Sequence, residues 1–181
     1  MKRIVLLIAL ALACHAHELV DNRATLVLRD RNHLSVTVYL SYPEALHQAL
    51  LPQREFAAFL LIYSSMDAAQ FEKELARAQK RFQSQLHVFA PEKEAALSGW
   101  VWPEAKTVQA MLRERVMRAM VDPNVHAHET PIELRAEAVA AQEITGARVQ
   151  FPAEWQRVLV VWYRPSQQWA EGGTVSPVLR F

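Results

Sequence analysis

Histidines are the residues of this chain whose type and spacing point most directly to chemistry. The tetrapeptide His-Ala-His-Glu occurs twice, at 15–18 and at 126–129. Imidazole nitrogen is the commonest protein ligand for transition metals, and a carboxylate beside it can add an oxygen ligand. The repeat indicates either a metal site divided between two segments or a coincidence of sequence.

The first copy lies where a secretory signal peptide is expected to end. Lys2 and Arg3 are followed by an uninterrupted apolar run over residues 4–13, which is too short to span a bilayer. We therefore predict that residues 1–16 are a signal peptide and that the protein is exported to the periplasm.

The cleavage site decides which residue begins the exported chain. Cleavage after Ala16 leaves His17 as the first residue and destroys the first His-Ala-His. Two alternatives stay open, which are cleavage after Ala13 and lipidation of Cys14. Every chemical argument about His17 presumes the cut after Ala16.

A histidine at the start of a chain can chelate one metal ion through its α-amino group and its ring Nδ1. The amino group has an ordinary pKa of about 7.7–8.0, so part of it is free to bind metal at neutral pH. His126 and His128 are two residues apart, and an extended segment places both rings on one side. We predict a metal site formed by His17, His126 and His128, with Glu18 or Glu129 as an added oxygen ligand. The alternative is that these histidines are solvated and bind nothing.

Other candidate residues are more typical of structural roles. Methionines on a helix usually fill a core, and isolated histidines or paired tryptophans usually pack. Thioethers can nevertheless hold Cu(I), and neighbouring indoles can form a binding platform. The residues concerned are Met111, Met117 and Met120; His33, His47 and His87; and Trp100, Trp102, Trp155, Trp162 and Trp169.

Composition excludes several classes of protein. Without residues 1–16 the chain has 18 basic and 19 acidic side chains, which argues against binding to nucleic acid. The only cysteine is removed with the signal, so the exported chain has no disulfide and no cysteine nucleophile. A G-x-S-x-G elbow, an H-E-x-x-H helix and a glycine-rich phosphate loop are also missing from the sequence. We therefore predict one domain over 17–181, no catalytic residues and no membrane-spanning segment after the signal.

The periodicity of apolar residues predicts strands at both ends of the chain and helices between them. Alternation at 24–28 and 34–40 predicts a β-hairpin, and helical spacing predicts helices near 43–65, 67–82 and 104–120. In the second of these helices we expect Asp67 and Gln70 to form a capping pair, and an apolar stripe is formed by Phe71, Leu75, Ala78 and Phe82. Met111 lies in the apolar stripe of the third helix. Two short strands are expected within 86–103.

Alternation returns in the last third of the sequence. Strands are predicted at 134–140 and 149–151, with a central strand at 158–163 and an edge strand at 172–181. This order of elements indicates an α+β fold, in which two or three helices are inserted in an antiparallel sheet or sandwich, immunoglobulin-like in one form.

The opening "AHELVDNRATLVLRDRNHLSVTVYLSYPEAL" resembles small exported β-domains that begin with Ala-His. Those domains stand beside, or are fused to, membrane proteins of the hydrogenase/urease-accessory nickel-permease type. The resemblance implies an accessory role in the cell envelope, in metal handling. His17 at the start of the exported chain is also similar to the first residue of CopC-type periplasmic copper-binding proteins, which is a copper ligand there.

The function expected from the sequence is that of a non-catalytic periplasmic accessory protein that binds copper or, next, nickel. The alternative is an interaction module without metal. Such a module would dock an envelope or membrane partner through its sheet, either at the Trp100 and Trp102 face or along an exposed edge strand.

Overall fold

The computed structural model describes residues 22–90, 93–121 and 131–166. Seven strands and four helices lie in these ranges, with one 3₁₀ turn at Ala153–Trp155. The strands are β1 Arg23–Asp30, β2 His33–Leu40, β3 His87–Phe89, β4 Ala96–Val101, β5 Ile132–Val139, β6 Arg148–Gln150 and β7 Leu159–Tyr163. The helices are α1 Tyr42–Leu50, α2 Phe56–Ser65, α3 Ala68–Gln85 and α4 Ala105–Val121.

Five strands form one mixed sheet in the order β4-β5-β2-β1-β7, and β3 pairs with β6 separately. The pairs β4–β5, β5–β2 and β2–β1 are antiparallel, whereas β7 runs parallel to β1. The predicted hairpin and the α+β class are confirmed, and the sandwich form of the prediction is not confirmed.

The helices cover one face of this sheet, which we call the inner face. In β2 the inner residues Leu34, Val36, Val38 and Leu40 are buried, and the alternate residues are half-buried on the outer face. β5 repeats the pattern with buried Leu134, Ala136 and Ala138. Strict period-2 alternation therefore predicted which side of β2 and of β5 faces the core.

The region predicted as one helix near 43–65 consists of two. α1 ends at Leu50 and α2 begins at Phe56, with Pro52 between them. Proline has no amide hydrogen, and it disfavours the helical conformation in the residue before it. These effects end α1 and make four helices where two or three were expected.

α3 agrees with its prediction in detail. The Asp67 side chain caps it by accepting hydrogen bonds from the backbone N–H groups of Ala69 at 2.9 Å and Gln70 at 3.3 Å. The predicted apolar stripe is buried against the core: Phe71, Leu75, Ala78 and Phe82. α4 packs on α2, because Gln109 Nε2 donates to the carbonyl of Met66 at 2.7 Å and Arg113 Nε to that of Ser64 at 2.9 Å.

Candidate functional site

The three predicted metal ligands, His17, His126 and His128, lie outside the described residues. The structure describes the parts of the chain that follow them. Asn22 is the first described residue after His17, and Pro131 is the first after His128.

The cross-strand register places these two positions at the same end of the sheet. Arg23, the first residue of β1, pairs with Tyr39 near the end of β2, and Tyr39 pairs with Glu133 near the start of β5. Neighbouring strands are about 4.8 Å apart, so the starts of β1 and β5 are separated by about 10 Å. We call this end of the sheet, defined by Asn22, Ser41 and Ile132, the shared end.

Chain length permits the predicted ligands to meet at the shared end. His17 precedes Asn22 by five residues, and His128 precedes Pro131 by three. At about 3.3 Å for each extended residue, these segments reach about 16 Å and 10 Å, which together exceed the separation of the strand starts. The fold of the described residues is therefore compatible with one site made from both segments.

A small polar pocket lies at the same end, with a volume of about 110 Å³. Its lining residues are Asn22, Ser41, Glu44, Ala45, Glu154 and Gln156. Asn22 joins three elements here: its Oδ1 accepts from the Ser41 backbone N–H at 2.8 Å, and its Nδ2 donates to the Trp155 carbonyl at 2.7 Å. This side chain fixes the start of β1 against the end of β2 and the 3₁₀ turn.

The two carboxylates of the polar pocket are each held by an arginine. Arg81 contacts Glu154 Oε1 at 2.5 Å, and Arg115 contacts Glu44 Oε1. Burial alone would raise the pKa of Glu44, but hydrogen bonds from Arg115 and Ser41 outweigh it and hold that pKa below its ordinary value. Two arginines neutralise two carboxylates, so the polar pocket offers little net attraction for a cation.

Two features of the polar pocket are energetically unfavourable. Glu154 Oε2 is buried and makes no hydrogen bond within the described part of the chain. Gln156 has φ 52° and ψ −126°, a conformation that non-glycine residues rarely adopt. No sequence pattern pointed to Asn22, Glu154 or Gln156, because their roles arise from contacts between distant segments.

The histidines that lie in the described ranges have partners that fit structural roles. His33 Nε2 is 2.8 Å from Glu137, His87 Nδ1 is 2.6 Å from Glu94, and His47 Nε2 is 2.7 Å from the Arg54 carbonyl. Within residues 22–90, 93–121 and 131–166, no group of three His, Cys, Asp or Glu side chains is placed to hold a metal ion.

The methionines of α4 divide into one half-buried residue and two exposed ones. Met111 packs against the core, as its position in the helical stripe predicted. Met117 is 61% exposed and Met120 is 69% exposed, because the last turn of α4 extends beyond the core. They are three residues apart, so they lie on the same side of α4. In the sequence, His126 follows this helix. Core packing does not explain these two thioethers.

The most exposed tryptophan of the described residues is not one of the pair expected to form a docking face. Trp100 and Trp102 stack with ring centroids 5.2 Å apart, are half-buried, and pack against the core beside Phe82. Each of these two indoles therefore exposes only part of its surface to a docking partner. Trp162 in β7 is 75% exposed instead. In the described sheet β7 has one strand neighbour, β1, and the edge strand predicted at 172–181 lies outside the described residues, so the prediction of a central strand at 158–163 is not tested.

The helices of the described ranges do not include one that is both long and apolar enough to cross a bilayer. Comparison of the chain with protein-family models, with curated proteins and with solved structures finds no match.

Proposed function

We propose that this protein is an exported, non-catalytic accessory protein of the periplasm that binds a divalent transition metal through His17, His126 and His128. The observation that carries the proposal is the register Arg23–Tyr39–Glu133. It brings the segments that follow the two histidine groups to the shared end of the sheet. Had β1 and β5 started at opposite ends, one site could not include both groups.

Copper is the first candidate metal and nickel the second. Divalent copper binds nitrogen ligands more tightly than the other first-row ions, and a chelate of amino and imidazole nitrogens suits its square-planar geometry. Met117 and Met120 add soft sulfur ligands near the same segment, which would extend the site to Cu(I). The resemblance of residues 16–46 to domains that accompany nickel permeases keeps nickel as the second candidate.

The test is a calorimetric titration with Cu(II) of protein that begins at His17. We expect the double variant His126→Ala/His128→Ala to weaken the affinity by about a hundredfold or more, equivalent to about 2.8 kcal/mol. An added glycine ahead of His17 should also weaken it, since it removes the amino-terminal chelate.

The matched control is His33→Asn, because His33 pairs with Val139 at the opposite end of the sheet. This variant should bind Cu(II) as the unmodified protein does. An affinity that is unchanged in the double variant, or lost equally in His33→Asn, would contradict the proposal.

The docking alternative keeps one observation in its favour, which is the exposed strand β7. Whether that strand is available to a partner depends on what pairs with its free edge.

A further inference from the structure

β7 presents an uncharged edge to solvent in the described part of the chain. Its five residues, Leu-Val-Val-Trp-Tyr, contain no charge or proline, and β1 is its only described strand neighbour. Long apolar edges promote association between chains, so proteins usually cover them or interrupt them with charges. The edge of β7 is therefore one that a further strand of the chain could cover.

The hydrogen bonding of β7 shows which backbone groups face its free edge. Leu159 N–H donates to the Asn22 carbonyl at 2.9 Å, so Leu159 faces β1. Backbone groups alternate along a strand, so Val161 and Tyr163 also face β1, whereas Val160 and Trp162 face the free edge. A covering strand must bond to Val160 and Trp162.

Both sides of β7 carry apolar surface. On the outer face Leu159 is 49% exposed, Val161 39% and Tyr163 52%. On the inner face Val160 and Trp162 border a cavity of about 670 Å³ that also contacts Leu26, Leu34 and Ile144.

We propose that residues 174–181 of this chain pair antiparallel with the free edge of β7. Ten residues, 164–173, separate this segment from Tyr163, and they end in Gly172-Gly173, which permits a reversal of the chain. In "TVSPVLRF" the residues Val175, Pro177, Leu179 and Phe181 alternate with Thr174, Ser176 and Arg180, and only Val178 departs from the pattern. This is the alternation of a strand with one apolar side.

Pro177 determines which residues of this segment face β7. Proline has no N–H, so it is accommodated in an edge strand only where that group would point to solvent. Val175, Leu179 and Phe181 share its orientation, and the backbone groups of residues 174, 176, 178 and 180 then point to β7.

Residues directly opposed in an antiparallel pair lie on the same side of the sheet. Val178 therefore joins Val160 and Trp162 on the inner face. Leu179 and Phe181 join Val161 and Tyr163 on the outer face, so the apolar side of the segment covers the exposed apolar side of β7.

The test is residue-resolved amide hydrogen exchange by NMR, on metal-free protein of residues 17–181 and on a variant that ends at Ser166. In the longer protein we expect Val160 and Trp162 to be protected by on the order of a hundredfold. In the shorter variant Leu159, Val161 and Tyr163 should stay protected, since β1 still pairs with them, whereas Val160 and Trp162 should exchange freely. An antiparallel segment that follows Tyr163 runs back toward Leu159, so nuclear Overhauser contacts of Phe181 should reach Leu159 on the outer face rather than Trp162.

Two proline variants form a matched pair. Val178→Pro places proline where an N–H must bond to β7, so it should abolish the protection of Val160 and Trp162. Pro177→Ala should retain that protection. Free exchange of Val160 and Trp162 in the longer protein overturns the proposal and leaves the edge open to a partner. Protection that persists after truncation and depends on protein concentration also overturns it, in favour of a second copy. The experiment uses no metal, so its result does not depend on the proposed metal site.

Discussion

Glu44 shows how one carboxylate joins two elements at the shared end. Ser41 Oγ donates to it at 2.7 Å from the start of α1, and Arg115 reaches it from α4. Because these donors bind the charged form, the folded state holds the pKa of Glu44 below its ordinary value of about 4.3. The resulting stabilisation is complete above the unfolded pKa and is lost as pH falls through the folded one.

The corresponding prediction concerns Glu44→Gln. At about pH 7 the substitution should lower the free energy of unfolding by about 1 kcal/mol, and the deficit should shrink as the pH is lowered past about 4. Urea unfolding at several pH values measures both effects. Glu114→Gln, which removes a comparable but exposed pair with Arg118, should cost less than about 0.5 kcal/mol. A deficit that is independent of pH would show that the charge of Glu44 is not what matters.

At the scale of elements, substitutions of the methionines of α4 distinguish a role in packing from a role in metal binding. Replacing both Met117 and Met120 with glutamine should change the free energy of unfolding by less than about 0.5 kcal/mol, because both side chains are exposed. The same change should weaken Cu(I) binding, measured by competition with a chromophoric chelator. Met111→Gln is the control, since Met111 packs against the core and its loss should cost about 1–2 kcal/mol without affecting Cu(I). Unaltered Cu(I) affinity in the double variant would remove these thioethers from the site.

Strands and helices with a clear pattern of apolar residues were predictable from the sequence, but the elements that pack beside them were not. The alternation in β2 and the capped stripe of α3 were correct because burial on one side dictates each residue type. The neighbours of the strand at 158–163 could not be predicted, because an apolar run does not reveal what lies beside it. The polar pocket was also unpredictable, since Asn22, Glu44 and Glu154 come from three distant segments.

At the scale of the whole molecule, the metal proposal predicts that bound metal lies near the shared end and far from the other end of the sheet. Cu(II) broadens the NMR signals of nearby nuclei, so bound copper should broaden the amides of Asn22, Arg23 and Glu133. His33 and Val139 lie at the other end of the sheet, about 23 Å away along β2, and should be unaffected. Broadening at both ends, or only at His33 and His87, would place the copper elsewhere.

The parallel pairing of β7 with β1 has a consequence for the order of assembly. The Asn22 side chain bonds to the Trp155 carbonyl, 133 residues further along the chain. Loop closure over such a length is entropically costly, so native contacts this remote form slowly and late. The β1–β2 hairpin, by contrast, needs only neighbouring residues. During synthesis, the edge of β1 that pairs with β7 therefore stays unpaired until nearly all of the sequence has emerged. Holdase chaperones can bind this edge during that period.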